Sequence, residues 1–386
     1  MTSDSTTAFD SLETPAAIID VEKMQKNIAS MQGRMNALGV KFRPHVKTTK
    51  SIDVVRAQLS AGAQGITVST LKEAERFFEA GITDILYAVS MTPSKLPRAM
   101  ALKKRGCDLK IIVDNASAAQ GIVEFSRATG VTFEVWLEVD TDGHRSGIGP
   151  EDNALLQIAH VLHAGGVTVG GVMTHAGSSY ELNTPQALSA LAEQERAGCL
   201  RAAQRLRGVG IPCKTVSVGS TPTALAANDL QGVTEVRAGV YVFFDLVMHN
   251  VGVCAVNDIA LGVLTTVIGH QRDKGWIIVD AGWMAMSRDR GSSRQACDFG
   301  YGLPCTLDGK PLEGYVLSSA NQEHGILALA PTDRPAGAAD PETCFPVGTR
   351  LRILPNHACA TGAQFPEYHA LMPTGELAVW RRFHGW

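Results

Sequence analysis

Ten residues near the N-terminus, Lys41-Phe-Arg-Pro-His-Val-Lys-Thr-Thr-Lys50, carry four cationic side chains and a histidine. Lysine changes pKa readily when desolvated, which makes it a nucleophile or a general base. Lys47 is the candidate, with Arg43 and His45 expected to depress its pKa by like-charge repulsion. A solvated basic run is the alternative reading. Lys50 is the rival amine, three residues further on and expected to point away from the site. A second group is Val218-Gly-Ser-Thr-Pro-Thr-Ala224, where Gly219, Ser220 and Thr221 offer close backbone N–H groups and hydroxyls at a helix start. That suits an anion; a plain helix N-cap is the alternative. A third is Pro355-Asn-His-Ala-Cys359, with an imidazole and a thiol two residues apart. On a strand such residues share a face, and His with Cys is a soft, zinc-favouring pair. A hydrogen-bonded histidine beside a buried cysteine reads the same residues without a metal.

These groups need elements to position them. Short runs rich in Val and Ile end near His45, Ser69, Ser90, Asp114, Asp140, Gly177, Ser220 and Asp245, and amphipathic helical patterns lie between them. Leu71, Ala74, Phe77 and Phe78 fall on one helix face that stops at Gly81. Strand then helix, eight times over, predicts a (β/α)8 TIM barrel. A doubly wound open sheet is the alternative, disfavoured because no G-x-G-x-x-G follows the first strand. A barrel of this kind works at the C-terminal ends of its strands. The residues there are Arg43, His45 and Lys47; Ser69 and Thr70; Asp140, His144 and Arg145; His175 and Tyr180; Gly219 to Thr221; and Tyr241 and Asp245. A strand-one lysine facing a phosphate at strands seven and eight suits a Schiff base with pyridoxal phosphate.

After about residue 255 the pattern becomes strands joined by Gly/Pro turns, an all-β C-terminal domain. The expected division is 1–20, a segment pairing with the β domain; 21–255, the barrel; and 256–386, the β domain. The Pro- and Ala-rich stretch around 330–343 reads as a surface loop. With 386 residues, 45% apolar and 19% charged, the chain has the composition of a soluble α/β enzyme. A formal charge of −3 offers no bulk attraction to nucleic acid or to an anionic membrane. No apolar run reaches membrane-spanning length, and the polar N-terminus lacks the features of a signal peptide, so a cytoplasmic protein is expected. Eight cysteines without CxxC pairs are, Cys359 apart, expected to be mostly small buried hydrophobes.

The segments TPAAIIDVEKM, RPHVKTTKS, EVDTDGHRSGI, THAGSSYEL, VSVGSTPTA, RAGVYVFFD, VDAGWMAMSRDRG, NQEHG and PNHACAT occur in that order. As an ordered set, over about residues 12–386, they resemble the alanine racemase-like, fold-type III pyridoxal-phosphate enzymes. The likeness is to the D-serine dehydratase and D-threonine aldolase family. The resemblance implies that Lys47 carries the cofactor and that Gly219, Ser220, Thr221, Gly239 and Tyr241 bind its phosphate. It places Arg145 near the pyridine nitrogen, with His144 as rival, and Tyr180 near the ring. His357 and Cys359 match the metal ligands, with zinc favoured over manganese or magnesium. The aldolase branch reads His-x-Asp at that pair, so the thiol points to a dehydratase. An arginine beside the pyridine nitrogen weakens the ring as an electron sink, which makes Lewis-acid help at a β-hydroxyl useful.

The implied reaction turns a D-3-hydroxy amino acid (D-serine, D-threonine or D-threo-3-hydroxyaspartate) into a 2-oxo acid and ammonia, in a homodimer. A retro-aldol lyase and a non-catalytic pyridoxal-phosphate carrier are the competing readings. His175, Gln64, Thr70, Asp280, Arg288, Glu323 and His324 each have a site reading and a structural one.

Overall fold

The computed structural model describes residues 8–329 and 341–386. Most of the expected surface loop, 330–340, lies outside the described residues. The chain divides into two compact units, one of Ala29–Gly239 with Gly385–Trp386, the other of the residues up to Ile28 with Val240–His384.

The first unit is built on eight parallel strands: β2 (Lys41–Phe42), β3 (Ile66–Val68), β4 (Asp84–Ser90), β5 (Asp108–Val113), β6 (Glu134–Val139), β7 (Thr168–Thr174), β8 (Thr215–Val218) and β9 (Glu235–Val236). Their order is β2-β9-β8-β7-β6-β5-β4-β3. The ring closes just past β2, where His45 bridges Thr67 of β3. Gln64 N–H donates to Phe42 O and Thr67 N–H to Pro44 O, both at 2.8 Å. The eight expected strands are these eight, and the fold is the (β/α)8 barrel of the alanine racemase type.

Local chemistry sets the helices between the strands. Thr70 caps Leu71–Glu79 by accepting from Glu73 N–H, Asn115 caps Ala116–Thr129 through Ala118 N–H, and Thr184 caps Pro185–Gly208 through Ala187 N–H. The face of Leu71, Ala74 and Phe77 is buried, and the helix unwinds at Gly81, whose φ of +89° suits glycine. Inside the barrel Leu86, Ile112, Trp136 and Met173 form a buried cluster; full burial of each such side chain contributes about 1.5–3 kcal/mol. At the opposite end of the strands from the expected site, Arg43 donates to Glu235 and Asp84, and Lys110 to Asp84 and Asp108.

The second unit holds a nine-stranded sheet. Its first strand is β1 (Ala16–Asp20); the others are β10 (Leu261–Gln271), β11 (Trp276–Val279), β12 (Gly302–Cys305), β13 (Tyr315–Ala320), β14 (Gly325–Leu329), β15 (Arg350–Pro355), β16 (Glu367–Leu371) and β17 (Leu377–Arg381). β1 lies between β10, antiparallel with Ala16 opposite Leu264, and β16, parallel with Ile18 opposite His369. Phe9, Ala16, Ile18 and Leu264 pack into a core cluster on this sheet.

Candidate active site

The barrel's part begins where β2 runs out. The chain enters a 3₁₀ turn, Val46–Thr48, whose N-cap is His45 in extended conformation; the His45 ring accepts from Lys47 N–H at 3.5 Å. Lys47 sits on this turn, exposed. A Cβ at Gly239 would lie 3.0 Å from His45 O and 3.1 Å from Thr48 Oγ1, so glycine lets this segment approach. Lys50 adopts a φ of +45° and its Nζ pairs with the buried Glu73 carboxylate at 3.1 Å. Glu73 also accepts from Ser69 N–H and Thr70 Oγ1. Lys50 is thus tied into the cap of the helix Leu71–Glu79, and Lys47 is the amine presented at the mouth.

Arg43 does not play the part expected of it. It turns into the barrel, buried, with its charge neutralised by Glu235 at 3.0 Å and Asp84 at 2.8 Å. The cations that act on the mouth are Lys47, Arg237 and Arg145. Burial and then the Lys47 charge, with Arg237, His175 and Arg145 behind it, hold His45 well below the usual imidazole pKa. Burial and then Lys47 likewise push His175 down to about 3. Two neutral imidazoles therefore flank an amine in a positive field.

The loops after β7 and β8 face this group. Ser220 caps the short helix Thr221–Ala226 by accepting from Thr223 N–H, while Ser220 N–H donates to Thr223 Oγ1 at 2.9 Å. Gly219, at φ +126°, donates its N–H to Glu195 at 3.0 Å. The amides of Gly219 and Ser220 thus have partners within the protein; Ser220 Oγ lies 2.9 Å from Ser179 Oγ, and Thr221 is buried behind them. His175 Nδ1 stands 3.3 Å from Gly219 O, and the Tyr180 ring is 6.3 Å from the His175 ring. Arg145 sits in the exposed loop after β6, its guanidinium 3.8 Å from the buried Glu138 carboxylate. The neighbouring His144 packs over the backbone of Gly177. Thr70 is the N-cap already described, and Gln64 lies ahead of β3, at the end away from the mouth. Tyr241 is buried in the turn Val240–Val242 of the second unit. An exposed amine, a cationic field and hydroxyls at a helix start fit an anionic cofactor that bears a carbonyl.

The second unit carries the imidazole and the thiol. They are not on a strand, as the spacing predicted. β15 ends at Pro355, His357 is an extended N-cap, and Cys359 lies in the first turn of Ala358–Gly362. Buried Asn356 draws the chain off the sheet by donating to Gly300 O at 2.7 Å and Asp289 O at 3.2 Å. Asp245, fully buried, accepts from Ala358 N–H at 2.9 Å and so caps the helix start. His357 Nδ1 lies 2.7 Å from Asp289 Oδ2. Burial opposes charge on His357, but Cys359, Asp289 and Asp245 together hold the imidazole well above its ordinary pKa. With Nδ1 taken, Nε2 is the nitrogen left for a ligand, and imidazole plus thiol suits zinc. Among the described residues no third His, Cys, Asp or Glu completes a cluster around a metal, so other positions on an ion would fall to water or substrate.

Asp280, Arg288, Glu323 and His324 also lie in the second unit. Asp280 accepts from Thr265 Oγ1 and Thr266 N–H, and Arg288 stacks on Trp283 at 4.3 Å. Glu323 and His324 form the exposed turn between β13 and β14.

Residues 19–247 match the alanine racemase N-terminal domain family, and residues 260–371 match a family described as a putative serine dehydratase domain. The chain belongs to the fold-type III pyridoxal-phosphate enzymes. Within them it is 67% identical to D-threo-3-hydroxyaspartate dehydratase of Delftia sp. (strain HT23), over 97% of this chain and 98% of that protein. D-serine dehydratase of Dictyostelium discoideum is 29% identical over 94% of each chain. The solved Delftia enzyme superposes with a TM-score of 0.95 over 97% of this chain and 99% of that one. Two variants of a D-threo-3-hydroxyaspartate dehydratase superpose with the same TM-score of 0.95; in one a histidine, in the other a cysteine two positions on, is replaced by alanine, and the cysteine variant is metal-free. Among the described residues no helix is long and apolar enough to cross a membrane.

Proposed function

We propose that this chain is a pyridoxal-phosphate- and metal-dependent dehydratase that turns a D-3-hydroxy amino acid into a 2-oxo acid and ammonia. D-threo-3-hydroxyaspartate is the substrate that the 67% identical relative supports, with D-serine and D-threonine as the other members of the class. The observation that carries the reading is the His357–Cys359 pair braced by Asp289. The similar dehydratase has a histidine and a cysteine at the same spacing, and its cysteine variant is metal-free.

Pyridoxal phosphate would supply an electron sink that acidifies the substrate α-carbon, and a divalent ion, zinc by the donor set, Lewis acidity toward the β-hydroxyl. Lys47 holds the cofactor, and its Nζ takes the α-proton as general base. His45 and His175 stay neutral beside that amine, so neither competes with Nζ for the proton it takes. Ser220, Thr221, Gly219 and Gly239, with Tyr241, hold the phosphate; Arg145 stands by the pyridine nitrogen and Tyr180 by the ring. His357 and Cys359 hold the ion, and Asp289 keeps the imidazole from turning. The enzyme acts as a cytoplasmic homodimer.

Incubation of the loaded enzyme with D-threo-3-hydroxyaspartate or D-serine is expected to release 2-oxo acid and ammonia in equal amounts, and a chelator to abolish the release. Glycine together with an aldehyde would make the chain a retro-aldol lyase. No turnover by protein that binds both cofactor and metal would make it a carrier.

A further inference from the structure

Glu195 is a carboxylate on the helix Pro185–Gly208, at 2% exposure, with no contact to any group so far given a chemical role except through the backbone. One of its oxygens, Oε1, accepts from Ala176 N–H at 3.1 Å and from Gly219 N–H at 3.0 Å. The Thr223 hydroxyl also bonds to it. Three segments therefore meet at one side chain: the loop after β7, the loop after β8, and the helix that Ser220 caps. Gly219 is confined from the other side as well, since a Cβ there would lie 2.3 Å from Arg237 O. The two loops are latched again by His175 Nδ1 with Gly219 O and by Ser179 Oγ with Ser220 Oγ. A buried carboxylate is costly to keep unless its acceptors are used, and here they are used on the backbone of the loops that bear His175 and Ser220.

We propose that Glu195 is a positioning residue that sets the loops after β7 and β8 in their phosphate-receiving arrangement before the cofactor arrives. This rests on the reading that Gly219 to Thr221 hold the cofactor phosphate. Its reach, rather than its charge, does the positioning: the side chain must span from the helix to two amides at once. A cup formed in advance spares the cofactor the entropy of ordering the loops.

The test compares pyridoxal phosphate with pyridoxal, which lacks the phosphate, on the full-length protein stripped of cofactor. Binding is followed by absorbance titration for wild type, Glu195→Asp and Glu195→Gln. Asp keeps the charge and loses a methylene of reach; Gln keeps the reach and loses the charge. E195D is expected to weaken pyridoxal phosphate binding about tenfold, the scale of one charge-assisted hydrogen bond, with pyridoxal binding nearly unchanged. E195Q is expected to keep the wild-type ratio within about threefold. A purely structural role would lower the melting temperature or weaken both ligands equally. If E195D keeps the wild-type preference, or if E195Q loses it as E195D does, the proposal is overturned while the phosphate cup stands. If wild type shows no preference for the phosphorylated ligand, the cup itself fails and the proposal with it. Should E195D not fold, Glu195→Ala takes its place with the same expected loss and the same overturning result.

Discussion

The imidazole of His357 has two nitrogens, and the Asp289 carboxylate takes one of them at 2.7 Å. Such outer carboxylates fix the tautomer and the angle of a ligand histidine, and their loss costs about 10–100-fold in metal affinity. Asp289→Asn is therefore expected to weaken zinc binding by about that factor in a competition titration with a chromophoric chelator; an unchanged affinity would leave Asp289 a mere loop anchor. His175 allows a prediction about acid. Its folded pKa is near 3 against an ordinary 6.5. Between those values the unfolded chain binds a proton that the folded chain refuses. Stability is thus complete above about pH 6.5 and falls below it, by at most about 1.4 kcal/mol per pH unit. His45 adds to the loss with the same sign. Cofactor-free protein is expected to melt at progressively lower temperature from pH 7 to pH 5, and His175→Asn to show a shallower decline; parallel slopes would contradict this. Lys47 and the His-x-Cys pair are visible in the sequence because each is a local pattern. Asp289 and Glu195 are not, because their partners lie 68 and 24 residues away and only the fold brings them together.

At the scale of elements, the barrel is legible because its strands are apolar runs bounded by caps and turns, and eight such runs match eight strands. The β unit is less so. β12 and β14 carry weak strand signals: Gly302–Cys305 contains a proline and Gly325–Leu329 opens on a glycine. The strand reading of the His-x-Cys pair fails for a local reason, since Pro355 ends the ladder and Asn356 spends its side-chain N–H groups on loop carbonyls. The thinnest part of the barrel wall lies beside its closure, where β2 and β9 have two residues each. Arg43 ties that stretch together by pairing with Glu235 of β9 and Asp84 of β4, and Glu235 is even more deeply buried than Arg43. Removing one partner of a buried pair strands the other charge, at a cost of about 3–5 kcal/mol. Arg43→Met is expected to lose stability on that scale in urea melts, while the folded fraction keeps its activity per mole. A loss below about 1 kcal/mol would show the pair to be solvated.

The whole molecule joins a unit whose core is continuous in sequence to one whose core is not. The two families along its length place it among enzymes. Neither composition nor motif order reveals how the chain is threaded. β1 sits between β10 and β16. Ribosomes add about 5–20 residues per second, so Ala16–Asp20 emerges tens of seconds before either of its neighbours exists. All of Ala29–Gly239 is meanwhile available to collapse into the barrel. The nascent protein must carry the unmated strand Ala16–Asp20 until β10 and β16 have been made. During that interval a chaperone has a defined segment to shield.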